Sequence, residues 1–192
     1  NTNYLLLSMI LEQASGLSFE EIYQQEIFDP LNLTSAYYSE TQPIPDGTVK
    51  GYADSYGTGR KVVQEATSLY KDELGIGGDG GIAINAYDLA IFLESLMKGA
   101  LISENALAEM TNWFDLPEDW HWDTYGQTEN GYGLEKFNTP YGYAVGHTGG
   151  IDGFSTFGFY FPEQDMTYVL FVNSTIAFSG KPKQQIFEQV LS

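Results

Sequence analysis

One of the two histidines in this 192-residue chain, His147, sits in the run Gly146-His147-Thr148-Gly149-Gly150. An imidazole can bind a ligand or relay a proton, and Thr148 adds a hydroxyl. Gly149 and Gly150 present backbone N–H groups with no side chain beside them. These residue types in this order suit a surface that holds an oxyanion or pairs with an extended ligand. A lone histidine near a strand end is more often structural than catalytic. The small residues around this one make it a candidate site.

Other chemistries find less support. Gly75-Ile76-Gly77-Gly78-Asp79-Gly80-Gly81 is dense in glycine, but it lacks the Lys-Ser/Thr ending of a phosphate loop and the preceding strand of a dinucleotide site. A tight packing turn is the expectation there. Ser68-Leu69-Tyr70-Lys71 and Ser95-Leu96-Met97-Lys98 both match Ser-x-x-Lys, yet a four-residue pattern with two free positions arises by chance in a chain this long. No Gly-x-Ser-x-Gly occurs, which removes an α/β-hydrolase nucleophile. With only His121 and His147 as imidazoles, no cysteine and no His-x-x-x-His pair, the sequence offers no metal site. The formal charge of −18, from 26 acidic and 8 basic residues, repels phosphate backbones and argues against a nucleic-acid partner. No apolar run approaches the ~20 residues needed to span a bilayer.

The elements that must position His147 can be read in order. An apolar content of 43% with 15% aromatics is that of a folded chain with one sizeable core. The run from Tyr4 to Leu11 predicts a mostly buried helix ending at Gly16. Ser18 and Glu21 have capping-box spacing for a second helix with Phe19, Ile22, Tyr23 and Ile27 on its apolar face, stopped by Asp29-Pro30. From Thr34 to about Gly75, prolines and glycines break the periodicity. Asn85 caps a further helix, with Asp88 as its reciprocal partner and Leu89, Phe92, Leu93 and Leu96 as its buried stripe. Ser103 opens another helix through Met110.

The segment from Trp113 to Asn130 is aromatic and acidic without period, suiting either a cleft wall or a small aromatic core. Strands follow over Tyr132–Phe137 and Tyr143–His147 around the turn Asn138-Thr139-Pro140, and over Phe154–Phe161 and Met166–Val172 around Pro162-Glu163-Gln164-Asp165. A closing helix is expected from about Pro182 to Leu191 with Ile186, Phe187 and Val190 facing inward. Helices first and strands last define an α+β fold. It reads as one domain over 1–192, with 1–130 mainly helix and loop, and 131–192 antiparallel strands plus the terminal helix.

Several stretches, in this order along nearly the whole chain, carry a resemblance. They are Asn1-Thr2-Asn3-Tyr4, Ile27-Phe28-Asp29-Pro30-Leu31-Asn32-Leu33-Thr34, Gly80-Gly81-Ile82 leading to Ala86-Tyr87-Asp88-Leu89-Ala90, the His147 run, and Gly153-Phe154-Ser155. Together they resemble the serine β-lactamase and penicillin-binding-protein family, in its class C branch with DD-peptidase and esterase relatives. In that family three motifs meet at one site: Ser-x-x-Lys, Tyr-x-Asn, and a strand motif of Lys-Thr-Gly or His-x-Gly form. The chain carries the third whole, as His147-Thr148-Gly149. Of the second it carries Asn1, the tyrosine falling two positions before the start. The first is expected upstream, so the chain is read as the C-terminal portion of a β-lactamase/transpeptidase-like fold, and as a processed product or a piece.

The resemblance implies acyl transfer without a cofactor. An upstream serine would attack an amide, ester or lactam carbonyl, and Asn1 would bond the catalytic lysine and the substrate amide. The Gly150 N–H would supply half of the oxyanion hole. The strand through Gly149 would pair with extended substrate, Thr148 would meet its carboxylate, and His147 stands where many relatives carry lysine. The substrate would be a small molecule or peptide, and the parent protein would lie outside the cytoplasm. Met166–Val172, central in the whole fold, would become an edge in this chain, to be covered by the upstream segment or a second copy. The competing expectation is a non-catalytic binding or interaction module on the same fold.

Overall fold

The computed structural model describes residues 2–38, 44–54, 64–67, 77–117, 127–139 and 141–174. Helix α1 (Thr2–Ser15) ends where Gly16 takes φ 73° and donates its N–H to the Glu12 carbonyl. The expectation that this helix is mostly buried fails. Leu6, Leu7, Met9, Ile10 and Leu11 are 47–60% exposed, and Ser8 is its one buried residue. Apolar residues run around most of its circumference, so the narrow face of Leu5 and Ser8 that packs inward cannot cover the rest. That face lies on the glycine cluster. A Cβ on Gly77 would come within 2.6 Å of Leu5 Cδ1, and one on Gly78 within 3.0 Å of the Tyr4 carbonyl. At these two positions the cluster is a packing turn.

Ser18 and Glu21 form the capping box at the start of α2 (Phe19–Tyr23). The helix does not stop at Asp29-Pro30. It widens into one π-helical turn, Gln24–Phe28, and continues as α3 (Asp29–Leu31) until Asn32 adopts φ 52°. The wider turn accommodates a proline that has no N–H to give and whose ring would crowd an α-helical carbonyl. It also aligns Tyr23 and Phe28, stacked at 5.7 Å, in a cluster with Phe19, Leu33 and Tyr38.

In α4 (Ala86–Met97) the Asn85 Oδ1 accepts the Asp88 N–H at 2.8 Å, as the spacing requires. The Asp88 carboxylate does not reciprocate. It is buried and accepts the N–H and hydroxyl of Ser35 at 2.8 and 2.7 Å, while Ser35 Oγ accepts the Asn85 N–H at 3.0 Å. A residue 50 positions away has entered the box, and spacing within one helix cannot show that. Helix α5 (Glu104–Met110) is capped by Ser103.

Strands β1 (Tyr52–Ala53) and β2 (Gln64–Glu65) form a small antiparallel pair, and Tyr52 donates its N–H to the Asn173 carbonyl. The main sheet is an antiparallel meander of β3 (Phe114–Asp115), β4 (Gln127–Asn130), β5 (Glu135–Thr139), β6 (Gly142–Ile151), β7 (Phe154–Phe161) and β8 (Met166–Val172), adjacent in that order. It therefore begins inside the stretch read as aperiodic. The first expected hairpin is also shifted. Gly131 to Leu134 close a turn through the Gly131 N–H and Leu134 carbonyl, which delays β5 to Glu135, and the reversal falls at Thr139–Gly142. Strand β6 runs four residues past His147. The expected helix over 182–191, together with Trp120, Trp122 and Tyr125, lies outside the described residues.

One face of the sheet gathers Phe137, Ala144, Phe157, Phe159 and Phe161. The other gathers Val145, Leu134 and Leu96, with Phe92, Met110 and Trp113 packed on them. Strand alternation puts neighbouring residues on opposite faces, so β6 at Ala144, Val145 and Gly146 and β7 from Phe157 to Phe161 are buried on both sides. Among the described residues β8 is the last strand, and all seven of its residues are partly exposed. No helix among the described residues is long and apolar enough to cross a membrane.

Two stability effects follow. A Cβ on Gly146 would lie 1.9 Å from the Gly158 carbonyl oxygen, whereas one on Gly150 would meet nothing within 4 Å. Gly146→Ala is expected to destabilise by about 3 kcal/mol or more, and Gly150→Ala by less than about 0.5 kcal/mol, in urea denaturation followed by tryptophan fluorescence. Asp88→Ala leaves the Ser35 N–H without its acceptor. The same assay is expected to show a loss of about 2 kcal/mol.

Candidate active site

The two neighbours of β6 differ in length. On one side β5 pairs with it only as far as Glu135 opposite Gly146. On the other, β7 continues from Val145↔Tyr160 to Ile151↔Phe154. From His147 onward β6 is therefore held along one edge, while its other edge runs past the start of β5. Successive N–H groups in a strand point to alternate sides. The Thr148 N–H points to the β5 side, where it meets Glu135, and the Gly150 N–H points the same way beyond the end of that strand.

Glu135 is the residue that the sequence did not single out. It opens β5, and its side chain is 15% exposed. One carboxylate oxygen accepts the Thr148 N–H at 2.8 Å and the other accepts the Thr148 hydroxyl at 3.2 Å. The His147 Nε2 stands 4.0 Å from the same carboxylate. The His147 ring is more than half exposed, and its Nδ1 lies in a short contact with the Thr148 carbonyl. An acidic residue in a chain with 26 of them carries no signal by itself. Glu135 becomes legible only when the register places it diagonally across from Thr148.

The expected site residues distribute as follows. His147, Thr148, Gly149 and Gly150 lie together on the part of β6 that outruns β5. Gly149 and Gly150 are exposed, and the space at Gly150 is open. Asn1 lies outside the described residues. The first turn of α1 comes close to the site's approach, since the Tyr4 hydroxyl is 3.6 Å from where a Cβ on Gly133 would be, two residues before Glu135.

Of the two Ser-x-x-Lys matches, Ser68-Leu69-Tyr70-Lys71 is not within the described residues. Ser95 lies in α4, and Lys98 is that helix's C-cap. The Lys98 ammonium is held by Asp165 at 2.7 Å and Glu94 at 2.6 Å. The hydrogen bond to Asp165, then that to Glu94, raises its pKa above the ordinary lysine range. Two carboxylates thus engage this ammonium at the end of the helix. Among the described residues no group of three or more acidic or histidine side chains could hold a metal ion.

This arrangement offers a strand edge with outward N–H groups, a histidine beside it and a carboxylate at its root. A family model described as Beta-lactamase matches residues 1–190. The chain is 28% identical over 201 residues to penicillin-binding protein 4* of Bacillus subtilis (strain 168), an alignment that takes in all of this chain and 41% of that protein. The D-amino acid amidase of Ochrobactrum anthropi SV3, solved with L-phenylalanine, superposes with a TM-score of 0.84 at 23% identity, over 99% of this chain and 56% of that one. For the D-stereospecific amidohydrolase of a Streptomyces species the TM-score is 0.81 at 22% identity, over 97% and 52%. At these identities the structures speak for the fold. The chain thus spans about half the length of these relatives, and with the family model matching residues 1–190 it belongs to the beta-lactamase family.

Proposed function

We propose that the protein carrying this chain is a serine hydrolase that works through an acyl-enzyme on D-Ala-type peptides, amides, esters or β-lactams. This chain contributes the substrate-pairing wall. The observation that carries the reading is the part of β6 from His147 to Gly150, held by β7 on one side and running past β5 on the other. An extended substrate adds to such an edge through main-chain hydrogen bonds. The Gly150 N–H then donates to the carbonyl oxygen as it becomes an oxyanion.

In this reading the nucleophilic serine and its lysine lie upstream of Asn1, and Asn1 orients the lysine. The serine oxygen bonds to the carbonyl carbon, the C–N or C–O bond breaks, and the departing group takes a proton. Water then cleaves the ester and frees the serine. His147 stands at the strand motif's first position, and Thr148 and Gly149 line the edge. The domain is one unit that this chain does not complete by itself, so the chain alone is inactive. A location outside the cytoplasm is consistent with penicillin-binding protein 4* among its relatives.

We further propose that the upstream segment of the same polypeptide covers the outward face of α1 and the edge at β8. The two surfaces share the signature of an interface. Leu6, Leu7, Met9, Ile10 and Leu11 form a contiguous exposed apolar face, and β8 from Met166 to Val172 is a partly exposed final strand among the described residues. Without that segment a second copy is expected to take its place. In analytical ultracentrifugation the 192-residue chain alone should self-associate at micromolar concentration. A stable monomer would count against the covering.

Labelling separates the catalytic reading from that of a binding module. Full-length gene product treated with a fluorophosphonate should gain the mass of one adduct, and the 192-residue chain should gain none. Ser95→Ala in the full-length protein should label at the wild-type rate. An adduct on the 192-residue chain alone, or none on the full-length protein, would sink the proposal.

A further inference from the structure

The two donors that Thr148 presents on the site edge, its N–H and its hydroxyl, are both occupied by one residue of the same chain. Glu135 receives them on separate carboxylate oxygens, at 2.8 and 3.2 Å. Its position is set by the backbone, because it is the first residue of β5 and is paired directly opposite Gly146. The side chain is largely buried, so it cannot move freely into solvent. The nearby His147 Nε2, at 4.0 Å, faces the same carboxylate.

A ligand carboxylate brought to Thr148 would have to displace Glu135 from both donors or lie against its negative charge. Juxtaposing like charges in a partly desolvated site strongly disfavours a ligand. A neutral carboxamide meets the opposite situation, since its N–H can donate to Glu135. An ammonium group would gain in the same way.

We infer that Glu135 is a specificity-determining residue that turns the Thr148 subsite against carboxylate-ended substrates and toward those ending in an amide or amine. The substrate class this selects is peptides whose C-terminal carboxyl is blocked as an amide, not peptides with a free C-terminal carboxylate. This rests on the site assignment made above, and it reverses the expectation that Thr148 receives the substrate carboxylate.

The test compares acetyl-D-alanyl-D-alanine with its C-terminal amide, two ligands that differ only at the group in question. Dissociation constants for both are measured by calorimetry on the full-length gene product, wild type and Glu135→Gln. The wild type is expected to bind the amide at least about tenfold more tightly than the acid, and in Glu135→Gln the two constants should come within about threefold. A merely structural role for Glu135 would weaken both ligands together and leave their ratio alone.

Equal or tighter binding of the acid by the wild type, an unchanged ratio in the variant, or binding of neither ligand would overturn the assignment. If the variant does not fold, the wild-type ratio decides. Fluorophosphonate labelling of the same preparations separates the two levels. A labelled protein that does not discriminate removes the role of Glu135 alone. An unlabelled protein that still discriminates leaves that role standing and removes the acyl-transfer reading.

Discussion

Strands β6 and β7 approach each other at Gly146 and Gly158 more closely than any residue with a side chain would permit. A Cβ at Gly146 would lie 1.9 Å from the Gly158 carbonyl oxygen, and one at Gly158 would lie 2.8 Å from Leu93 of α4. Two glycines therefore let the strands close on each other and α4 close on the sheet. The contact sits one residue before His147, so whatever fixes it also fixes the direction in which the site edge leaves the core. Phe159 and Phe161 are buried on one face, and Val145 and Leu96 on the other. That packing holds the strands rigidly enough for the overhanging residues to act as a surface.

The overhang depends on a difference in strand length. Because Gly131 to Leu134 form a turn, β5 starts late, and β6 continues beyond it with its N–H groups turned to the open side. The first of these, on Thr148, is taken by Glu135. The same carboxylate thus stands where β5 pairing ends and the open edge of β6 begins. Away from this site the ionic groups serve local ends. The Lys98 ammonium ties the end of α4 to Asp165, in the turn before β8, which in turn accepts the Tyr160 hydroxyl. Such surface groups fasten an element without taking part in chemistry.

Helix α1 shows a different relation between sequence and surroundings. Its apolar residues form a good helix, but only Leu5 and Ser8 face the glycine turn at Gly77 and Gly78, and the rest point outward. A run of leucines states that a helix needs burial. It does not state what provides it, and here the described residues do not.

Much of the fold was legible because it rests on local chemistry. The capping box at Ser18, the Asn85 and Ser103 caps, the hairpin from Phe154 to Val172 and the order of family-like stretches all depend on residues close together in sequence, where spacing determines geometry. The His147 run could be picked out for the same reason. Features that join distant segments could not be read in this way. Ser35 entering the Asn85 cap, the π-turn that carries the helix through Pro30, the start of the sheet at Phe114 and the outward face of α1 were all settled by tertiary contacts. So was Glu135, one acidic residue among 26, whose place beside Thr148 exists only once β5 and β6 are in register. By itself the sequence determined the family, the fold class and the strand on which a site could stand. The tertiary structure decided which edge of that strand faces outward and what charge stands beside it, because strand register and long-range packing join residues that no local spacing relates.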